Sequence, residues 1–241
     1  MSKDTLYKDR RATIAPFAFT ADVAAVFDDM LVRSIPAYDV LIRRQVQLCR
    51  RFLQPESRLY DLGCSHGNLG LRLLMRPAVV PFAIWAVDNA PAMLDRFRGR
   101  LVGHPEAQRV NLICADVMDV GIRRAAVVVI NFTLQFLPGE ARDRLIKRVY
   151  EGLLPGGVLL FSEKIVHPDE SLAMLQTEFH HRFKAENGYS ELEISQKREA
   201  LETVLRPDTV AAHEERLHRA GFRRWDVWLK WFNFTSWIAM K

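Results

Sequence analysis

Apolar and polar positions along this chain follow two different periods. Val23, Val26, Phe27, Met30 and Leu31 recur at the spacing of one helix face, which predicts a helix over residues 21–34. Pro36 interrupts that pattern, and a second helix is expected from about Asp39 to Phe52. From Arg58 onward short continuous apolar runs take over: Arg58–Leu62, Phe82–Val87, Val110–Ala115, Ala126–Asn131 and Val158–Glu163. Such runs read as strands buried on both faces. Helical patterns over Asn68–Met75, Pro91–Val102 and Gly139–Leu153 separate most of them. Pro91 stands where a first-turn proline is tolerated. Strand and helix in alternation predict an α/β fold with a parallel sheet covered on both sides, and ligands beyond the C-terminal strand ends.

After the fifth strand the regularity breaks. His167 to Leu205 is mostly helical and longer than one crossover helix requires. Leu172, Leu175, Phe179 and Phe183 form one apolar stripe, Gly188 stops that helix, and Ser190 is the expected N-cap of the next, from about Glu191 to Leu205. A helix over Pro207–Ala220 and its Gly221 stop lead into two closing strands, Phe222–Leu229 and Asn233–Met240. The expected organisation is one domain over residues 1–241, with a helical lid at 1–54 and a helical insertion at 167–206. The first dozen residues are charged and are expected to be loose.

The 241 residues suffice for one α/β domain, and an apolar share of 49% with a charged share of 26% is ordinary for a globular protein. The formal charge is +5 and the isoelectric point about 9.3. The basic residues come as scattered pairs such as Arg43-Arg44 and Arg223-Arg224, which read as solvated surface; no dense basic stripe argues for direct nucleic-acid binding. Three cysteines without a C-x-x-C pair argue against a disulfide framework and fit a reducing, cytoplasmic setting. No apolar h-region follows the N-terminus, and no apolar run is long enough to suggest a membrane span.

The chemistry centres on Asp61-Leu62-Gly63-Cys64-Ser65-His66-Gly67, a glycine turn between the first strand and a helix. Glycines there let the backbone approach a nucleotide-like ligand, and the helix N-terminus suits an anion. The G-x-x-x-G spacing departs from the dinucleotide fingerprint. Asp88, at the end of the second strand, is suited to hold ribose hydroxyls, with Asn89 beside it at the base edge. Asp116 and Asn131 end the third and fourth strands; the alternative for both is an ordinary loop cap. His66 is expected to face solvent. His180-His181 and His213/His218 have poor spacing for a metal, so no metal site is expected.

Asp61 to Ser65 is similar to the first motif of S-adenosylmethionine-dependent methyltransferases. A wider set of blocks resembles the carboxy-S-adenosyl-L-methionine synthase family: Ser34–Tyr38, Asp61–Ser65, Val87–Asn89, Asn131–Phe136, Ser162–Lys164 and, most specifically, the run from Asn187 to Arg198. The likeness extends from about residue 12 to 240. It implies a Rossmann-like methyltransferase fold with a mostly parallel seven-stranded sheet and a C-terminal antiparallel hairpin.

The resemblance also implies a reaction other than methyl transfer. S-adenosyl-L-methionine, as substrate, and prephenate would give carboxy-S-adenosyl-L-methionine, phenylpyruvate and water. Prephenate would lose its ring carboxylate as carbon dioxide, captured by the sulfonium ylide, and the departing hydroxide could take the methyl proton. The product would serve a partner enzyme that carboxymethylates a wobble uridine in transfer RNA. Tyr38 would close over the cofactor; Gly63, Cys64 and Ser65 would form the loop against its methionine part. Asp88 and Asn89 would meet ribose and adenine, Asp116 and Val117 would read adenine, and Asn131 would line the site. Arg198 would pair with the new carboxylate, from across the interface of a homodimer. Tyr189, Arg198 and the N-terminal helices are the suspects for holding prephenate. The match is weakest at His66-Gly67-Asn68. The competing readings are an ordinary methyltransferase acting on a small molecule or RNA, and a non-catalytic scaffold holding transfer RNA.

Overall fold

Buried valines and isoleucines set the centre of the molecule. In the computed structural model, which describes residues 2–241, the strand Ala125–Asn131 (β4) has six consecutive residues buried before Asn131 emerges at its tip. A strand buried on both faces lies in the middle of a covered sheet. It sits between Ser57–Leu62 (β1) and Leu153–Lys164 (β5), parallel to both. Outward from β1 come Phe82–Asp88 (β2) and Val110–Cys114 (β3). Beyond β5 lie Phe234–Met240 (β7) and then Arg224–Trp231 (β6), both pairings antiparallel. The seven strands run in the order β3-β2-β1-β4-β5-β7-β6. The order reverses between β1 and β4, which opens a crevice at their C-terminal ends.

Helices Ala21–Ser34 (α1), Tyr38–Phe52 (α2), Asn68–Leu74 (α3), Pro91–Leu101 (α4), Gly139–Gly152 (α5), Glu170–Glu186 (α6), Glu191–Glu202 (α7) and Val210–Ala220 (α8) complete the chain. Their starts follow local chemistry. The side chains of Thr20, Asp169 and Thr209 accept from backbone N–H groups of the first turns of α1, α6 and α8. Ser190 forms the expected capping box with Glu193.

Two apolar cores cover the sheet. One packs α2, α3 and α4 on one face, with Ile42, Leu73 and Phe97. The other packs α5 and α8 on the opposite face, where Phe161 stacks on Trp237 at 4.6 Å. β5 starts earlier than the apolar run predicts. Leu153 already pairs with Ala125, and a register shift then accommodates the Pro155-Gly156 turn before Val158 pairs with Val127.

The N-terminal residues are not loose. Asp4 is buried, and its backbone N–H donates to Asp29 at 2.7 Å. Its carboxylate accepts from Tyr189 Oη at 2.5 Å. Gln196 in α7 donates to the carbonyls of Tyr7 and Asp9 and accepts from the N–H of Arg11. A charged terminal segment thus docks because the insertion presents matching polar partners, which no local pattern encodes. The apolar stripe on α6 is only half used: Phe179 stacks on Phe232 at 4.8 Å, while Leu172 and Leu175 are exposed. Among the described residues no helix is long and apolar enough to cross a membrane.

Candidate functional site

The glycine turn is built by close approach. Gly63 (φ 81°) and Gly67 (φ 89°) occupy the left-handed region, and Ser65 joins them at φ 53°. A Cβ on Gly63 would stand 2.0 Å from Thr133 Oγ1, and one on Gly67 would enter the Phe97 ring. The N–H groups of Gly63 and Cys64 both donate to the carbonyl of Val87. Asp88 then accepts from Ser65 N–H on one oxygen (2.8 Å) and from Ala90 N–H on the other (2.9 Å). Each oxygen keeps a lone pair for a ligand hydroxyl. Burial raises Asp88, against the pull of those two N–H donors. Burial and the neighbouring Asp88 push Asp61 up to about 7.

His66 does not face solvent. It is buried, with Nε2 2.7 Å from Asp28 Oδ1 and Nδ1 3.1 Å from Ser65 Oγ. Its ring meets Phe27 edge-on at 5.2 Å. Asn68 donates to the same Asp28 oxygen (3.1 Å) and to Tyr38 Oη (3.3 Å), and accepts from Arg100 at 2.9 Å. The hydrogen bond from His66 holds Asp28 down at about 2. His66 and Asn68 therefore tie the turn to both N-terminal helices and to α4. The imidazole went unread as a structural partner because Asp28 lies 38 residues away in sequence.

A cavity of about 780 Å³ opens above the strand tips. Its lining includes all ten residues singled out from the sequence: Tyr38, Gly63, Cys64, Ser65, Asp88, Asn89, Asp116, Val117, Asn131 and Arg198. Asp116 is exposed and turns one oxygen to Met118 N–H at 2.8 Å, leaving the other for a ligand. Asn131 exchanges two 2.8 Å hydrogen bonds with Gln45 of α2, so its amide is largely committed within the protein. Tyr189 is absent from the lining: its hydroxyl is held by Asp4, and Arg33 stacks over its ring at 3.7 Å.

The walls are sorted by charge. The strand tips present Asp61, Asp88 and Asp116; the facing wall, from the end of β5 and from α6 and α7, presents Lys164, Lys184, Lys197 and Arg198. Lys184 and Lys197 are buried, and Arg198 is exposed. Lys197 lies 3.6 Å from Asp4 and 3.2 Å from Ser34 Oγ. His180, in the same wall, donates to the carbonyl of Ser34 at 2.9 Å and is pushed down to about 2, first by burial and then by Lys184 and Lys164. Below the wall, Glu163 accepts from the N–H groups of Thr133, Leu134 and Gln135, which holds the turn after β4 in place. Burial outweighs those donors and pushes Glu163 up to about 8.

Sequence reading missed the lysines, because a lysine on a polar helix face looks like solvated surface until the fold encloses it. Glu163 and Lys164 lie in the Ser162–Lys164 segment, whose pattern assigns them no role, and nothing local marks Gln45 or Asp28. Among the described residues no group of His, Cys, Asp and Glu is arranged to hold a metal ion.

A family model described as a methyltransferase domain matches residues 59–157. The carboxy-S-adenosyl-L-methionine synthase of Desulforapulum autotrophicum is 48% identical over 241 residues, covering 100% of this chain and 98% of that protein. The protein of the same name from Shewanella frigidimarina is 46% identical over 239 residues, covering 99% and 98%. Among solved structures, a putative O-methyltransferase from Nostoc punctiforme superposes with a TM-score of 0.65 at 15% identity, covering 92% of this chain and 59% of that one. A putative S-adenosyl-L-methionine-dependent methyltransferase from Methanococcus maripaludis gives 0.61 at 16% identity, covering 96% and 97%. The structural likenesses speak for the methyltransferase-type fold alone.

Proposed function

Because the chain belongs to the carboxy-S-adenosyl-L-methionine synthase family, we infer that it is an S-adenosylmethionine-dependent transferase that makes carboxy-S-adenosyl-L-methionine, the carboxymethyl donor for wobble uridine in transfer RNA. The second substrate is prephenate. Its ring carboxylate leaves as carbon dioxide while the ring hydroxyl departs and the ring aromatises to phenylpyruvate. The cofactor's methyl group gives a proton to that hydroxide, forming water, and its carbon takes the carbon dioxide.

The observation that carries this reading is the charge-sorted cavity. An ordinary methyl donor needs the acidic strand tips for its ribose, amine and sulfonium, and its single carboxylate uses at most one cation of the facing wall. A reaction that brings in a dicarboxylate and leaves a carboxylate on the cofactor does. Asp88 with Asn89 holds the ribose, and Asp116 with Val117 the adenine. Asp61, whose carboxyl has no hydrogen-bond partner among the described residues, faces the methionine amine. Gly63, Cys64 and Ser65 cradle the methionine part. Tyr38 closes over it from α2, with Asn131 lining the floor. Arg198, exposed and without an ion-pair partner among the described residues, receives the new carboxylate, because a guanidinium binds a carboxylate bidentately. Residues 1–54 act as the lid of a single domain and 167–206 as its cationic wall; a closed, water-poor pocket keeps carbon dioxide beside its acceptor.

A homodimer belongs to the same reading. Leu172 and Leu175, one turn apart on α6, are 45% and 41% exposed, and Met174 on an adjoining face is 65% exposed, apolar surface suited to a second copy. Release into a reducing cytoplasm, hand-over of product to a separate transfer-RNA carboxymethyltransferase, and the absence of direct nucleic-acid binding complete the proposal.

The test is direct. Incubated with S-adenosylmethionine and prephenate, the protein yields a cofactor heavier by one carbon dioxide, together with phenylpyruvate, both by mass spectrometry and only when prephenate is present. Methylation of a supplied small molecule or RNA, with no carboxylated cofactor, would establish the ordinary methyltransferase instead.

A further inference from the structure

The cationic wall is not electrically closed. Asp4 and Asp29 stand beside Arg33 and Lys197: Arg33 donates to Asp29 at 3.1 Å, and Lys197 lies 3.6 Å from Asp4. Those two pairs balance. Lys164, Lys184 and Arg198 remain, with the exposed Arg206 also on the lining, and none of these four has a carboxylate within ion-pair distance among the described residues. Glu202, one helical turn beyond Arg198, also lines the cavity but is exposed and forms no ion pair with it. His180 and His181 flank the lysines and are both pushed toward the neutral form, so they supply no counter-charge.

An ammonium enclosed without a partner is costly, and folding tolerates it where a ligand supplies the missing charge. Lys184 shows that cost. Burial, then Lys197 and Lys164, push it down to about 7, against the opposite pull of Asp4. Burial also lowers Lys164.

The dicarboxylate substrate has two acids with opposite requirements. The ring carboxylate must leave as neutral carbon dioxide, and a strong ion pair to it would stabilise the ground state more than the transition state and slow the reaction. The side-chain pyruvyl carboxylate stays charged throughout and is the group suited to an ionic anchor. Resting on the synthase reading above, we propose that Lys164 and Lys184 form the subsite for the unreacting carboxylate of the dicarboxylate substrate. They leave its ring acid turned toward the sulfonium, clear of their charge. Lys197, already balanced by Asp4, ties the middle of α7 to the N-terminal segment and makes no substrate ion pair.

The experiment uses Lys164→Gln, Lys184→Gln and the double variant. Three quantities are read: affinity for S-adenosylhomocysteine, kinetics with prephenate, and binding of phenylpyruvate to the protein loaded with S-adenosylhomocysteine. Phenylpyruvate keeps the side-chain carboxylate and lacks the ring acid, and the loaded protein has no methyl group to react. Each single variant is expected to raise the KM for prephenate and the Kd for phenylpyruvate about tenfold or more. Cofactor affinity stays within about twofold of wild type, and kcat falls less than KM rises. Lys184→Arg retains most of the wild-type KM. Removing an enclosed charge leaves Tm unchanged or higher, which separates loss of the anchor from loss of the fold. Parallel loss of cofactor affinity would assign the lysines to the cofactor's own carboxylate and overturn the proposal, as would an unchanged KM and Kd. Should wild type make no carboxylated cofactor yet bind phenylpyruvate through these lysines, the anchor would stand and the synthase reading would fall.

Discussion

Arg198 is the exposed member of a wall in which Lys184 and Lys197 are buried and Lys164 is half-buried, and that difference defines its role. An exposed guanidinium costs little while it waits for an anion, whereas an enclosed ammonium does not. Arg198→Ala is therefore expected to weaken binding of the carboxylated product by about 1.5–3 kcal/mol, one to two decades in Kd, and binding of unmodified S-adenosylmethionine by much less. Titration calorimetry with both ligands measures the difference; equal losses would remove the assigned contact. His66 shows the converse at the same scale. A histidine in a ligand loop reads as solvent-facing, yet here it is locked between Ser65 and Asp28. Asp88, by contrast, stands on the cavity lining, where a strand-end acid following a glycine turn is expected.

At the scale of elements, the turn after β4 depends on one buried acid. Glu163 accepts from three successive backbone N–H groups. Burial nonetheless raises it from an ordinary 4.5 to about 8. A carboxyl raised on folding binds more protons in the native state than in the unfolded one. Stability is then highest below about pH 4.5 as far as this group is concerned, and falls as pH climbs toward 8. Glu163→Gln removes that dependence: denaturant unfolding across pH 5 to 8.5 should show the variant gaining on wild type as pH rises. A constant difference across the range would mean that Glu163 stays ionised. The helices themselves were readable from their apolar periods and caps, Ser190 with Glu193 above all. The early start of β5 was not, because Pro155 and Gly156 look like a break, and the bulge they occupy exists only through pairing with β4.

For the whole molecule, the expectation that reaches furthest is the second copy of the chain. Leu172, Met174 and Leu175 on α6 leave apolar surface uncovered by the described residues. Leu175→Arg should shift the protein from dimer to monomer in analytical ultracentrifugation with no loss of Tm beyond that of dissociation. A wild-type monomer at micromolar concentration would end the dimer reading.

The sequence by itself determined the α/β alternation, the closing hairpin, the glycine turn and the acids at the strand tips. These are local matters: apolar period, backbone freedom at Gly63 and Gly67, and the end of each apolar run. Tertiary structure alone decided the docking of residues 4–11 on α7, the His66–Asp28 lock, the Gln45–Asn131 pair and the enclosure of Lys164 and Lys184. Each of these depends on bringing together residues far apart in the chain, or on how much water a neighbouring element removes. Hydrophobic spacing carries no record of either, because a charged side chain has the same place in the pattern whether it meets solvent or the wall of a cavity.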